Sequence, residues 1–178
     1  MTKQATGSIQ DQVERWGAEA RRLAEAGKEA AALEIYERAA DSLPGAPWLQ
    51  HRTAELARKL RQNDVAIAYF RRAGSAFVAA GFPRRAIAPL TAAWTLARAG
   101  LPSTGRVLPE VARELSQLLE GLGLSMDASV TLEYTDDALR RAGISRPPDS
   151  ARETPRLSTI VQSHERRETP RPLKVIPG

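Results

Sequence analysis

Residues 16–44 read WGAEARRLAEAGKEAAALEIYERAADSLP, and the spacing of their apolar side chains decides the fold. Trp16, Ala20 and Leu23 recur at the interval of one helical face. Gly27 interrupts that helix; Ala32, Leu33, Tyr36 and Ala39 then lay out the same face on a second one, which stops before Pro44. Two short amphipathic helices cannot cover their own apolar stripes, so the unit must stack on a neighbour. The neighbour is visible in the sequence. A shift of 34 residues carries Ala20 onto Ala54, Ala32 onto Ala66, Leu33 onto Ile67, Tyr36 onto Phe70, Arg38 onto Arg72 and Ala39 onto Ala73.

This pattern resembles the tetratricopeptide repeat. The first unit carries the family's succession of large, small and glycine positions as Trp16, Ala20, Leu23, Gly27, Ala32, Tyr36, Ala39 and Pro44, with Glu19 standing where the family prefers leucine. The second reads Gln50, Ala54, Ala57, Arg61, Ala66, Phe70 and Ala73; its turn lacks glycine, and Asn63 is expected to take the unusual backbone angles. The resemblance covers residues 13–44 fully and 47–73 in part. A further signature, Gly74, Phe77, Gly81, Ala86, Leu90 and Ala93, arrives 20 residues after the second copy instead of 34. We read this as one long helix, 64–80, that closes unit two and opens unit three, softened midway by Gly74. The resemblance implies an all-α fold, an antiparallel helical repeat of about seven helices.

Outward from this core, residues 1–8 are expected to fray, 9–143 to form the helical domain and 144–178 to be a disordered basic tail. Helices are expected from Ile9 or Gln10 to Ala26, over Glu29–Ser42, from Pro47 or Trp48 to Leu60, over 64–80, over 84–99, from Pro109 to about Leu122, and over about 127–142. Pro89 is expected to kink the fifth helix or delay its start. Trp16 and Trp94 are read as core, Trp48 as partly exposed, and Tyr134 as packed with Ala128, Leu132 and Leu139. From Ser145 onward there are six prolines and no aromatic residue in 34 positions, too little apolar surface to offset chain entropy.

Composition excludes several functions. Cysteine is absent, which removes disulfides and thiolate metal sites. The N-terminal stretch lacks the apolar run of a signal peptide, and no apolar run is long enough to span a bilayer, so a cytoplasmic protein without a membrane span is expected. The net charge of +5 is uneven: seven Lys/Arg against four acids lie beyond Ser145. The body's arginines alternate with glutamates, whereas nucleic-acid binding requires a denser one-sided patch, so nucleic acid is not an expected partner. The two histidines, His51 and His164, have no convergent catalytic partners; Glu55 near His51 reads as an exposed ion-pair member. GLGLS at 121–125 lacks the strand context and lysine of a phosphate loop, and Asp136 and Asp137 read as acids favoured near a helix start. No metal, cofactor or catalytic site is expected.

Two sets of binding residues remain. The resemblance implies a concave groove lined by first helices: Arg21, Ala24 and Glu25; then Trp48, His51, Glu55, Arg58 and Lys59; then Arg71, Ser75 and Val78. Its basic members suit a carboxylate or acidic peptide. The asparagine-bearing clamp that some family members use for a chaperone's C-terminal carboxylate is missing, so that ligand is not implied. The second set is a repeated phrase: Arg152, Glu153, Thr154, Pro155 and Arg156 return fifteen residues later as Arg167, Glu168, Thr169, Pro170 and Arg171. Each copy is followed by aliphatic residues, Leu157, Ile160 and Val161 or Leu173, Val175 and Ile176. Such a pair reads as two docking motifs, whose tethering raises apparent affinity for a dimeric partner by on the order of a hundredfold. Thr154 and Thr169 are alternative phosphorylation sites beside arginines. The expected function is a non-catalytic adaptor with more than one protein partner, of open oligomeric state. The alternatives are a chaperone or regulatory subunit that holds a client in its groove with a dispensable tail, and an RNA- or membrane-surface accessory protein.

Overall fold

The computed structural model describes residues 3–145. Among them the protein is all α: α1 Lys3–Glu25, α2 Glu29–Ser42, α3 Pro47–Lys59, α4 Asn63–Ala79, α5 Pro83–Ala99, α6 Val107–Gly121 and α7 Ser125–Arg141. None of these helices is long and apolar enough to cross a membrane. α1 begins well before the expected Ile9, and α6 starts at Val107, with Pro109 inside its first turn, where a missing N–H costs nothing. α5 starts at Pro83 and runs on through Pro89.

The helix ends follow one chemical rule. In α1, α3, α4, α6 and α7 a residue with positive φ closes the helix, and the next amide donates to the carbonyl five residues back: Lys28 to Leu23, Gln62 to Ala57, Phe82 to Phe77, Leu124 to Leu119 and Ile144 to Leu139, all at 2.8–2.9 Å. This arrangement satisfies carbonyls that a helix end otherwise leaves open. Glycine occupies four of the five positions, and Arg61 (φ 61°) occupies the fifth. Asn63, expected to absorb the strained angles, instead begins α4. Where the motif is absent, side chains replace it. The buried Gln50 of α3 donates Nε2 to the Ala40 carbonyl of α2 at 2.7 Å, and Thr104 donates its hydroxyl to the Ala97 carbonyl of α5.

Each helix packs chiefly on its neighbours in sequence, which is the topology of a helical repeat. Longer contacts sort the helices into two layers. Arg72 of α4 pairs with Asp41 of α2 at 2.7 Å, and Arg71 of α4 pairs with Glu114 of α6 at 2.5 Å. Trp94 of α5 donates Nε1 to Thr135 of α7 at 2.8 Å. Even-numbered helices therefore lie on one side and odd-numbered helices on the other. That arrangement corrects two expectations. Tyr134 points outward, and Thr131 and Thr135 take the buried face of α7, with Leu132 half-buried. Asp136 and Asp137 sit near the end of α7, not its start, and Asp137 is paired with Arg140 and Arg141 at 3.3 and 2.7 Å.

Two apolar clusters meet along α4 and α5. One runs from Val13 through Leu33, Leu49 and Phe70 to Leu108; the other gathers Val78, Leu90, Leu115 and Leu118. At their junction Gly74 is buried, and a Cβ there would lie 2.6 Å from Leu90 Cγ and 2.8 Å from its Cδ2. Gly74 thus admits the neighbouring helix; softening α4 is not its role.

Two stability predictions result. Gly74→Ala gains about 1 kcal/mol of helix propensity but forces out the branch point of a buried leucine, at about 1–3 kcal/mol. We expect a net loss, read as a lower thermal midpoint. Arg61→Gly relieves left-handed strain and should gain up to about 1 kcal/mol, whereas Gly27→Ala at the equivalent turn should lose about 1 kcal/mol, both read by urea unfolding.

Candidate partner-binding cleft

α2 packs on both α1 and α3, and these three helices enclose an open cleft of about 600 Å³. α1 contributes Arg21, Ala24 and Glu25, α2 contributes Glu29 and Tyr36, and α3 contributes Arg52, Glu55, Leu56, Arg58 and Lys59; Arg61 projects from the strained turn beyond. Five cations thus face three carboxylates. Arg58 pairs with Glu55 at 2.6 Å and Lys59 pairs with Glu29 across the α2–α3 boundary. Arg21 donates Nε to its own helix at the Gly17 carbonyl, 3.2 Å away. Arg52 and Arg61 are exposed and form no ion pair among the described residues. A planar guanidinium with open donors matches a carboxylate in two parallel hydrogen bonds.

The cleft unites Arg21, Ala24, Glu25, Glu55, Arg58 and Lys59 of the expected groove. It does not unite the rest. His51 is half-buried, its ring edge-on to Phe70 with centroids 5.5 Å apart. Trp48 is exposed at the start of α3, outside the cleft lining. Val78 is buried. Arg71 and Ser75 lie in the even-numbered layer, in a separate depression of about 760 Å³ between α2, α4 and α6. Their place in the expected groove requires the second half of α4 to be a first helix; α4 is instead one helix of the even-numbered layer along its whole length. Arg71 is also committed: its guanidinium donates Nε and Nη2 to Glu114 and lies 3.3 Å from Glu110. The Glu114 hydrogen bonds hold its pKa above the usual arginine value.

Residues overlooked in the sequence include Glu29, Tyr36, Arg52 and Arg61. Arg52 had a signal, since Arg52, Glu55 and Lys59 follow one another at helical spacing on one stripe. Glu29 and Tyr36 had none, because the groove positions were carried over from first helices alone. Both copies of the repeated phrase, residues 152–156 and 167–171, lie outside the described residues. Among the described residues no group of three His, Asp or Glu side chains is arranged to hold a metal ion. No family model, curated protein or solved structure matches the chain.

Within the even-numbered layer, burial pushes the Tyr69 phenol up to about 12, reinforced by the charge of Asp41, whose Oδ1 accepts its hydrogen bond at 3.4 Å. Burial likewise raises the Glu37 carboxyl, aided by repulsion from Asp41 and Glu34. Unfolded, Tyr69 ionises near 10. Its contribution to stability is therefore full below pH about 10 and is lost as pH rises toward about 12. Tyr69→Phe should flatten that alkaline loss, as measured by urea unfolding between pH 9 and 12.

Proposed function

We propose that this chain is a non-catalytic adaptor of the tetratricopeptide kind. The helical body takes an acidic segment of one protein in the α1–α3 cleft, and the two RETPR phrases dock another. The observation that carries this reading is the pair of unengaged guanidiniums, Arg52 and Arg61, at the rim of a cleft whose other cations are tied to glutamates or to backbone. An incoming carboxylate meets donors that need not first break an ion pair, which keeps the desolvation cost low. Arg61 supports the same reading independently. An arginine held at positive φ costs about 1 kcal/mol where glycine serves in four equivalent turns, and the side chain it retains projects into the cleft. The tetratricopeptide resemblance of the first unit and the duplicated phrase complete the case.

The test uses three forms of the full chain: wild type, Arg52→Glu/Arg61→Glu, and Thr154→Ala/Arg156→Ala/Thr169→Ala/Arg171→Ala. Partners recovered by affinity capture from native lysate are quantified by mass spectrometry. We expect one partner to fall at least about tenfold with the cleft variant and a different one with the tail variant. A single partner lost only with the cleft variant identifies a client-holding subunit instead. Recovery unchanged in both variants rejects the adaptor.

A further inference from the structure

The last described helix, α7, presents an apolar stripe that the described elements leave largely open, with only the Arg98 guanidinium of α5 lying over the Tyr134 ring, 6.0 Å from its centroid. Met126, Val130 and Tyr134 are 77 %, 40 % and 55 % exposed and follow one another every four residues, which aligns them on one helical face. Isolated exposed apolar residues are ordinary, but an aligned row along a terminal helix is the face on which another unit of a helical repeat would stack. Asp127 and Glu133 are exposed and flank the stripe, one helical step from Val130. The face is therefore apolar along its middle, with the acids Asp127 and Glu133 flanking Val130 and one cation, Arg98, beside Tyr134.

The sequence beyond the described residues supplies a complement. Ser145 lies four residues past the end of α7, and the sequence continues for 33 residues beyond it. Residues 156–168 hold no proline, lie between Pro155 and Pro170, and place Leu157, Ile160 and Val161 at the spacing of one helical face. Arg156, Arg166 and Arg167 lie at its two ends. The ten residues 146–155 reach about 33 Å when extended, more than the roughly 25 Å length of the 17-residue α7, so the segment can be laid anywhere along the stripe.

We propose that residues 156–168 dock on α7 as an amphipathic helix, with Leu157, Ile160 and Val161 covering Met126, Val130 and Tyr134. The competing occupant is a second copy of the chain. A symmetric contact between two α7 faces sets Asp127 and Glu133 against the same acids of its partner, a like-charge arrangement that opposes association. The tethered segment brings arginines to those acids and acts at the high effective concentration of a short linker. Docking would also place the two RETPR phrases at either end of one short element, although the proposal holds whether or not they recruit a partner.

Methionine occurs only at positions 1 and 126, so sulfoxide formation at Met126 reports on this face alone. Full-length wild type is compared with full-length Leu157→Asp/Ile160→Asp under dilute hydrogen peroxide, at two protein concentrations tenfold apart. Both substitutions lie outside the helical body, whose fold is checked by circular dichroism. Docking predicts oxidation at least about fivefold slower in wild type than in the variant, at either concentration. Equal rates in the two proteins overturn the proposal. Equal rates that both slow as concentration rises overturn it as well, and assign the face to a second copy.

Discussion

Where Gly74 of α4 meets Leu90 of α5 there is no space for a methyl group, and the course of the chain depends on that approach. The two apolar clusters adjoin at this crossing, one built mainly from α1–α4 and the other mainly from the end of α4 through α7. A larger residue at 74 would hold α5 away from α4 and open the core where the two clusters adjoin. Every helix leans on its sequence neighbours, so a displacement here would pass to α6 and α7 on one side and reach the cleft helices on the other. The aligned alanines elsewhere, Ala20, Ala32, Ala54, Ala66 and Ala93, serve the same purpose less severely. Small residues at the crossings let short helices pack closely and leave Leu, Phe and Tyr to fill the space between.

The two layers divide the polar work. Arg71, Arg72, Asp41, Glu110 and Glu114 bind the even-numbered helices to one another, so their charges are largely spent on the fold. On the side of α1 and α3 the ion pairs lie within α3 or between it and α2, and they leave Arg52 and Arg61 open. Electrostatics thus distinguishes a structural surface from one suited to an acidic ligand, although both carry similar residue types.

Much of this was legible beforehand. The period of 34 residues, the helix limits of α2 and the exposure of Trp48 followed from local pattern, because amphipathic spacing and turn residues act over a few positions. Six members of the expected groove also came together, since α1 and α3 occupy equivalent places in successive units. The failures were of another kind. Arg71 and Ser75 lie in the even-numbered layer, apart from the cleft, because α4 runs unbroken from Asn63 to Ala79 and both face α2 and α6. Gln50 stands in the second unit where Trp16 stands in the first. Its value lies in an amide that reaches the open carbonyl of Ala40 on the preceding helix.

The sequence by itself determined the helices, the turns that glycine closes and the need of each amphipathic face for a neighbour, because these depend on backbone angles and on intervals of three or four residues; the turn after α3, closed by Arg61 and not by Asn63, it did not. Tertiary structure alone decided which layer each helix joined and which charges were consumed there. Arg71 and Arg52 are both arginines on amphipathic helices of successive elements, and no local rule separates them. What separates them is that Glu110 and Glu114, about forty residues further along the chain, fold back against one and not the other.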